Sequence, residues 1–151
     1  SSSGKAIRFN EPAVRSMGRN ARGVRGIKLG DSESLISLII PSEGYLLSAS
    51  QNGYGKRTPM KDFPAKGRGG QGVIAIQTSE RNGKMIGATQ VFDGDEVMLI
   101  SNSGTLVRIP TEQISVVGRN TQGVKLISLK EGELLNSVER IADRQEDQTK
   151  D

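Results

Sequence analysis

The chain has 151 residues, no cysteine, no histidine, 21 Lys and Arg against 17 Asp and Glu, and 3% aromatic residues. A disulfide framework and a thiolate metal site are excluded, and the commonest general base and zinc ligand are missing. Residues 1–130 hold 18 Lys and Arg against 10 Asp and Glu and residues 131–151 only 3 against 7, so a basic body suited to a polyanion precedes an acidic end.

Short β-branched and apolar runs alternate with Gly, Asn, Asp and Ser clusters along the chain, the pattern of an all-β protein. Ser1–Ser3 lead into a turn glycine, Gly4, and then Arg8. Glu11-Pro12 opens at most a single helical turn to Arg15. The loop Gly18-Arg-Asn-Ala-Arg-Gly23 precedes predicted strands over 24–29 and 34–40. Residues 45–50 and 54–58 flank Gln51-Asn-Gly53, a hairpin signal because Asn and Gly both tolerate positive φ. There follow Phe63-Pro64, the loop Gly67-Arg-Gly-Gly-Gln-Gly72, a strand over 73–77, a longer hairpin loop at Glu80–Lys84 and a strand over 85–91. A second hairpin turns at Asn102-Ser-Gly104 between 96–101 and 105–109, with a single turn expected over 111–114. The loop Gly118-Arg-Asn-Thr-Gln-Gly123 then leads into strands over 124–129 and 134–138. Residues 142–151 are acidic and poor in apolar side chains, and read as a solvated tail. No stretch reads as a signal peptide or a membrane span, which fits a cytoplasmic protein.

One ruler recurs three times. Its anchors are Gly4, Arg8, Val14, Gly18, Arg19, Gly23 and Val24; then Gly53, Arg57, Phe63, Gly67, Arg68, Gly72 and Val73; then Gly104, Arg108, Ile114, Gly118, Arg119, Gly123 and Val124. A period near fifty residues marks small repeated sheets, each burying its faces against its neighbours. About four strands fall in each period, one propeller blade, giving blades at 1–50, 51–101 and 102–141, the last incomplete. Three blades leave an incomplete disc, so the chain reads as part of a larger array.

The G-x-x-x-x-G spacing of the loops invites comparison with a phosphate-binding P-loop. Val24, Val73 and Val124 stand where such a loop requires lysine, which argues against it. Gly18, Gly23, Gly67, Gly72, Gly118 and Gly123 read as turn glycines needing positive φ. Arg8, Arg57 and Arg108 follow the hairpin turns and either bond carbonyls of the adjacent blade or face a ligand. Arg19, Arg68 and Arg119 lie in the loops, with Arg22, Arg25, Lys56, Lys66 and Lys125 nearby. Presented in register, these cations would form a stripe along the rim, able to neutralise successive phosphates of a curved duplex while reading little sequence. Asp31, Asp62, Asp93 and Asp95 do not recur in register, which disfavours a propeller hydrolase, and no metal site is expected. A propeller that binds protein would need an exposed apolar or aromatic face, and aromatics are few.

Segments such as Ser16-Met-Gly-Arg-Asn-Ala-Arg-Gly-Val-Arg-Gly-Ile-Lys28, Gln51-Asn-Gly-Tyr-Gly-Lys-Arg57 and Val117-Gly-Arg-Asn-Thr-Gln-Gly-Val124 resemble the DNA gyrase A C-terminal domain family. The resemblance covers nearly the whole chain except the tail. It implies a β-propeller-like β-pinwheel that binds and bends double-stranded DNA, so that strand passage introduces negative supercoils. The implied partners are the rest of the gyrase A protein and its gyrase B companion, with ATP and Mg2+ bound elsewhere in the holoenzyme and no cofactor or catalytic residue here. Tyr45 and Tyr54 match strand and turn positions and take no catalytic role. One departure stands out: the family's Gln-Arg-Arg-Gly-Gly-Lys-Gly box has as its nearest relative Lys66-Gly-Arg-Gly-Gly-Gln-Gly72, with Gln71 in place of lysine. The related domain of the A-type topoisomerase IV protein is the alternative within the same architecture.

Overall fold

The computed structural model describes residues 1–143. They form nine strands: β1 (Lys5–Ala6), β2 (Tyr45–Ser50), β3 (Tyr54–Pro59), β4 (Val73–Ile74), β5 (Met85–Val91), β6 (Glu96–Ser101), β7 (Leu106–Pro110), β8 (Val124–Lys125) and β9 (Leu135–Ile141). Three sheets result, in the orders β1-β4, β5-β2-β3-β8 and β7-β6-β9, all antiparallel. A single 3₁₀ turn follows each ruler arginine, at Glu11–Ala13, Met60–Asp62 and Thr111–Gln113. The middle one was not expected from the sequence.

The outer strand of a sheet comes from the next repeat. β4 pairs with β1 through Lys5↔Ile74 and Ala6↔Val73, and β8 pairs with β3 through Tyr54↔Lys125 and Gly55↔Val124. These strands are shorter than the expected 73–77 and 124–129 because the backbone turns inward after two residues. The amides of Ala75 and Ile76 both donate to Gly4 O (2.7 and 3.2 Å), and those of Leu126 and Ile127 both donate to Gly53 O (2.8 and 3.4 Å). That turn sends Ala75, Ile76 and Ile127 into the core.

Residues 24–29 and 34–40, expected as strands, form no ladder. β5 and β9 draw their hydrogen bonds from β2 and β6, whereas beside residues 34–40 Ser1–Ser3 enter as a turn. Strand propensity without a neighbour to pair with does not make a strand. Leu35, Leu38 and Ile40 stay exposed there.

The cores lie between sheets. Leu46, Met60, Phe63 and Ala75 pack with Ala6 and Val73 between the first sheet and the second. Leu47, Val91, Val97 and Ile114 fill the space between the second and the third, continued by Ala49, Leu99, Ile127 and Leu135. β2 is therefore covered on both faces: Leu46 points one way, Leu47 and Ala49 the other, which is why Leu-Leu-Ser-Ala-Ser is buried without interruption. The acidic tail expected over 142–151 lies, beyond Asp143, outside the described residues.

Candidate nucleic-acid interface

The three Gly-Arg loops sit at the junctions between repeats. Their second glycine is conformationally required: Gly23, Gly72 and Gly123 have φ of 80°, 80° and 76°. A Cβ on Gly72 would stand 2.3 Å from Ala6 O, and one on Gly123 2.4 Å from Gly55 O. Glycine there lets the chain enter β4 and β8 hard against the preceding hairpin. Gly18, Gly67 and Gly118 depart from expectation, since none has positive φ and nothing lies within 4 Å of an added Cβ.

Four of the six ruler arginines form two sets of ties between repeats. Those after the hairpin turns reach forward. Arg8 Nη1 donates to Met60 O (3.2 Å) and Phe63 O (3.3 Å), and Arg57 Nε donates to Ile114 O (2.9 Å). Arg57 also pairs with Asp93 through Nη1 (3.2 Å) and lies 4.8 Å over the Tyr45 ring. The loop arginines reach back. Arg68 donates from Nη1 to Arg25 O and from Nε to Ala13 O (3.0 Å each), and Arg119 Nη1 donates to Ile74 O (3.1 Å). Arg25 and Ile74 each lie two residues after the second loop glycine, so the same bond recurs in register. Arg108 instead pairs with Glu96 on its own hairpin.

Three residues expected to face DNA are thereby corrected. Arg57 is 6% exposed and Lys56 0% exposed, and Arg8 is half-buried with its guanidinium on carbonyls. Lys56 Nζ donates to Gly118 O (2.7 Å), Arg119 O (2.5 Å), Thr121 O (3.2 Å) and Thr121 Oγ1 (2.9 Å). Burial, with Arg119 repelling it, lowers its pKa to about 8.

What stays outside is still basic. Arg19, Arg22, Arg25, Lys66, Arg68, Arg108 and Lys125 are exposed and Arg119 is half-buried. All of these except Arg108 belong to the loops or their flanks, and each later loop is bonded to the segment that follows the loop before it. Lys28 N donates to Gly70 O (2.8 Å), Gly69 N to Gly26 O (2.7 Å), and Gln77 N to Thr121 O (2.9 Å). The exposed loop cations thus lie on segments that adjoin one another in succession.

The sequence reading missed Arg81. It lies 4.2 Å over the Tyr54 ring, which Lys125 Nζ also approaches at 6.0 Å, and its Nη2 donates to Gly123 O (3.0 Å). Arg81 belongs to the Glu80–Lys84 loop, one residue longer than the corresponding turns of the other repeats, where Ser32 and Gly132 stand in its place, so recurrence could not reveal it. Among the described residues no group of His, Cys, Asp or Glu is placed to hold a metal ion, and no helix is long and apolar enough to cross a membrane.

The family described as "DNA gyrase C-terminal domain, beta-propeller" matches residues 1–42, 44–91 and 95–142. The DNA gyrase A protein of Pseudomonas aeruginosa is 58% identical over 142 residues, covering 93% of this chain and 15% of that protein. The Escherichia coli K12 counterpart is 51% identical over 144 residues, 95% of this chain and 16% of that protein. The chain thus spans about a sixth of the length of these relatives. A solved DNA gyrase A C-terminal domain superposes with a TM-score of 0.84 at 29% identity, covering 93% of this chain and 48% of that one. The C-terminal domain of a DNA topoisomerase IV superposes with 0.82 at 25% identity, covering 91% and 44%.

Proposed function

Since the chain belongs to the DNA gyrase C-terminal β-propeller family, we propose that it binds and bends duplex DNA. In this reading it guides a DNA segment along its basic edge so that the holoenzyme introduces negative supercoils. The observation that supports the reading is the bonding of each Gly-Arg loop to the segment that follows the preceding one, from which we read the exposed Arg19, Arg22, Arg25, Lys66, Arg68 and Lys125 and the half-buried Arg119 as one basic edge. A row of cations spread over three sheets neutralises phosphates at intervals. In this reading the duplex bends to follow it, at a cost met by the added phosphate contacts. The chain supplies binding and shape. Strand cleavage, ATP and Mg2+ belong to other parts of the parent enzyme, the gyrase A protein assembled with gyrase B in the bacterial cytoplasm. The identities of 58% and 51% to gyrase A proteins favour gyrase over topoisomerase IV.

Energy transfer between dyes at the two ends of a short duplex tests the proposal. Added chain raises transfer efficiency at low salt, and the gain disappears at high salt. Binding without any rise in transfer would leave a polyanion-binding surface and remove the bending role. A protein partner retained in high salt would instead point to the exposed Leu35, Leu38 and Ile40 as a docking face.

A further inference from the structure

The loop Gly118–Gly123 uses its backbone differently from the other two. Every one of its carbonyls accepts a hydrogen bond. Gly118 O is held by Lys56 Nζ (2.7 Å) and Thr121 Oγ1 (2.8 Å), and Arg119 O by Lys56 Nζ (2.5 Å). Asn120 O accepts from Gln77 Nε2 (3.5 Å), and Thr121 O from Gln77 N (2.9 Å) and Lys56 Nζ (3.2 Å). Gln122 O accepts from Asn82 Nδ2 (2.7 Å) and Gly123 O from Arg81 Nη2 (3.0 Å). None of the amide N–H groups from Gly118 to Gly123 finds an acceptor among the described residues.

A loop whose carbonyls are all engaged by the protein while its amides are not presents chiefly hydrogen-bond donors to a ligand. That is the requirement of an anion, and a fixed set of donors costs little to reorganise on binding. The other loops lack this preparation. In Gly18–Gly23 the backbone makes one internal bond, Ala21 N to Gly18 O, and in Gly67–Gly72 Gly70 O accepts from Lys28 N while Gly69 N is spent on Gly26 O. Half of these carbonyls are held by one residue. Lys56 lies three positions after Gly53 and reaches into the loop of the next repeat, whereas Ile7, at the same place after Gly4, lies beside the second loop at Gly70. Its ammonium, buried and pointing into the loop, is the only group among the described residues that touches three of the six carbonyls.

We propose that Gly118–Gly123 is a preorganised docking loop for a backbone phosphate of duplex DNA, and that Lys56 is the positioning residue that holds it ready. This rests on the DNA-binding reading above. Arg119 and Lys125 supply the charge that draws the phosphate, and the loop amides supply fixed donors. The lowered pKa of Lys56 adds a signature. Arg119 is the charged group facing it. As pH rises from 7 to 9 the ammonium becomes a neutral amine, and the positive charge it sets behind the loop is lost.

The test uses the 151-residue chain with a fluorescent mixed-sequence duplex at fixed ionic strength, together with amide exchange across residues 118–123. Lys56→Met is expected to weaken binding about tenfold, the loss of roughly one charge-assisted contact, and to speed exchange in this loop only. Wild-type affinity is expected to fall between pH 7 and 9, while that of Lys56→Met stays flat. If Lys56→Met does not fold, Thr121→Val removes one Lys56 acceptor and the hydroxyl on Gly118 O at an exposed edge, with a loss of about threefold expected at unchanged melting temperature. A folded variant that binds like wild type, or wild-type affinity flat in that pH window, overturns the proposal. Failure of the wild type to bind duplex in a salt-dependent way overturns the DNA reading instead, and exchange in the loop then still reports whether Lys56 orders it.

Discussion

Arg57→Ala should unfold the array far more readily than Arg108→Ala, although the two residues occupy the same ruler position. Arg57 is 6% exposed and its Nε is bonded to the buried Ile114 carbonyl at 2.9 Å. Leaving that carbonyl without a partner costs about 1–3 kcal/mol. Loss of the guanidinium from the Tyr45 ring adds about 0.5–1 kcal/mol. The Asp93 pair adds at most about 1 kcal/mol, because Asp93 is 71% exposed and its charge is screened. With the space left by the buried stem, the sum is about 3 kcal/mol, equivalent to a fall in melting temperature of roughly 6–12 °C for a chain of this size. Arg108 is exposed and, among the described residues, pairs only with Glu96, so its removal should stay within about 0.5 kcal/mol. Urea titration of both variants, with m-values compared, gives the free energies directly. Equal stabilities for Arg57→Ala and Arg108→Ala would refute the view that forward-reaching arginines hold successive repeats together.

The loop glycines should separate in the same way. Gly123→Ala, at φ 76° and with Gly55 O in its path, is expected to cost about 2 kcal/mol or more in thermal unfolding, whereas Gly118→Ala should be near neutral. Asp95 is 2% exposed; burial pushes its carboxyl up, but Arg140 (2.6 Å) and the amides of Asp143 and Phe92 outweigh this and hold it below the usual range. A depressed folded-state pKa contributes stability present above the unfolded value and lost as pH falls through the folded one. Asp95→Asn should therefore lower stability at pH 7 by about 2–4 kcal/mol and flatten acid unfolding below about pH 4. Lys56 carries the opposite linkage: its folded pKa, about 8, lies below the ordinary 10.5, so the unfolded chain binds the extra proton between those values. Its contribution to stability rises with pH across that window, and Lys56→Met should remove this slope from a denaturation series.

The period was legible in the sequence because glycine at Gly72 and Gly123 answers a steric demand that each repeat makes again. The arginines were legible as a pattern but not as a role. Arg57 and Arg68 recur because each meets a carbonyl of a neighbouring repeat, and a contact between repeats leaves the same trace in sequence as a contact with a shared ligand. Strand ends were misjudged at 73–77 and 124–129, where two amides turn onto one carbonyl of Gly4 or Gly53. No local propensity encodes that shared acceptor. Lys56 was counted among the surface cations because β3 reads as polar, Gly-Lys-Arg-Thr, while the third loop that covers it lies more than sixty residues further along the chain. Arg81 escaped because the other repeats have Ser32 and Gly132 in its place.

The salt dependence of duplex binding by the 151-residue chain tests the central claim most directly. With Arg19, Arg22, Arg25, Lys66, Arg68, Arg119 and Lys125 along one edge, the logarithm of the association constant should fall linearly with that of salt, with a slope of roughly −4 to −6 and little change between duplex sequences. A slope between 0 and about −1 would mean that no more than one phosphate is neutralised, and the continuous basic edge would then not be a DNA-binding surface.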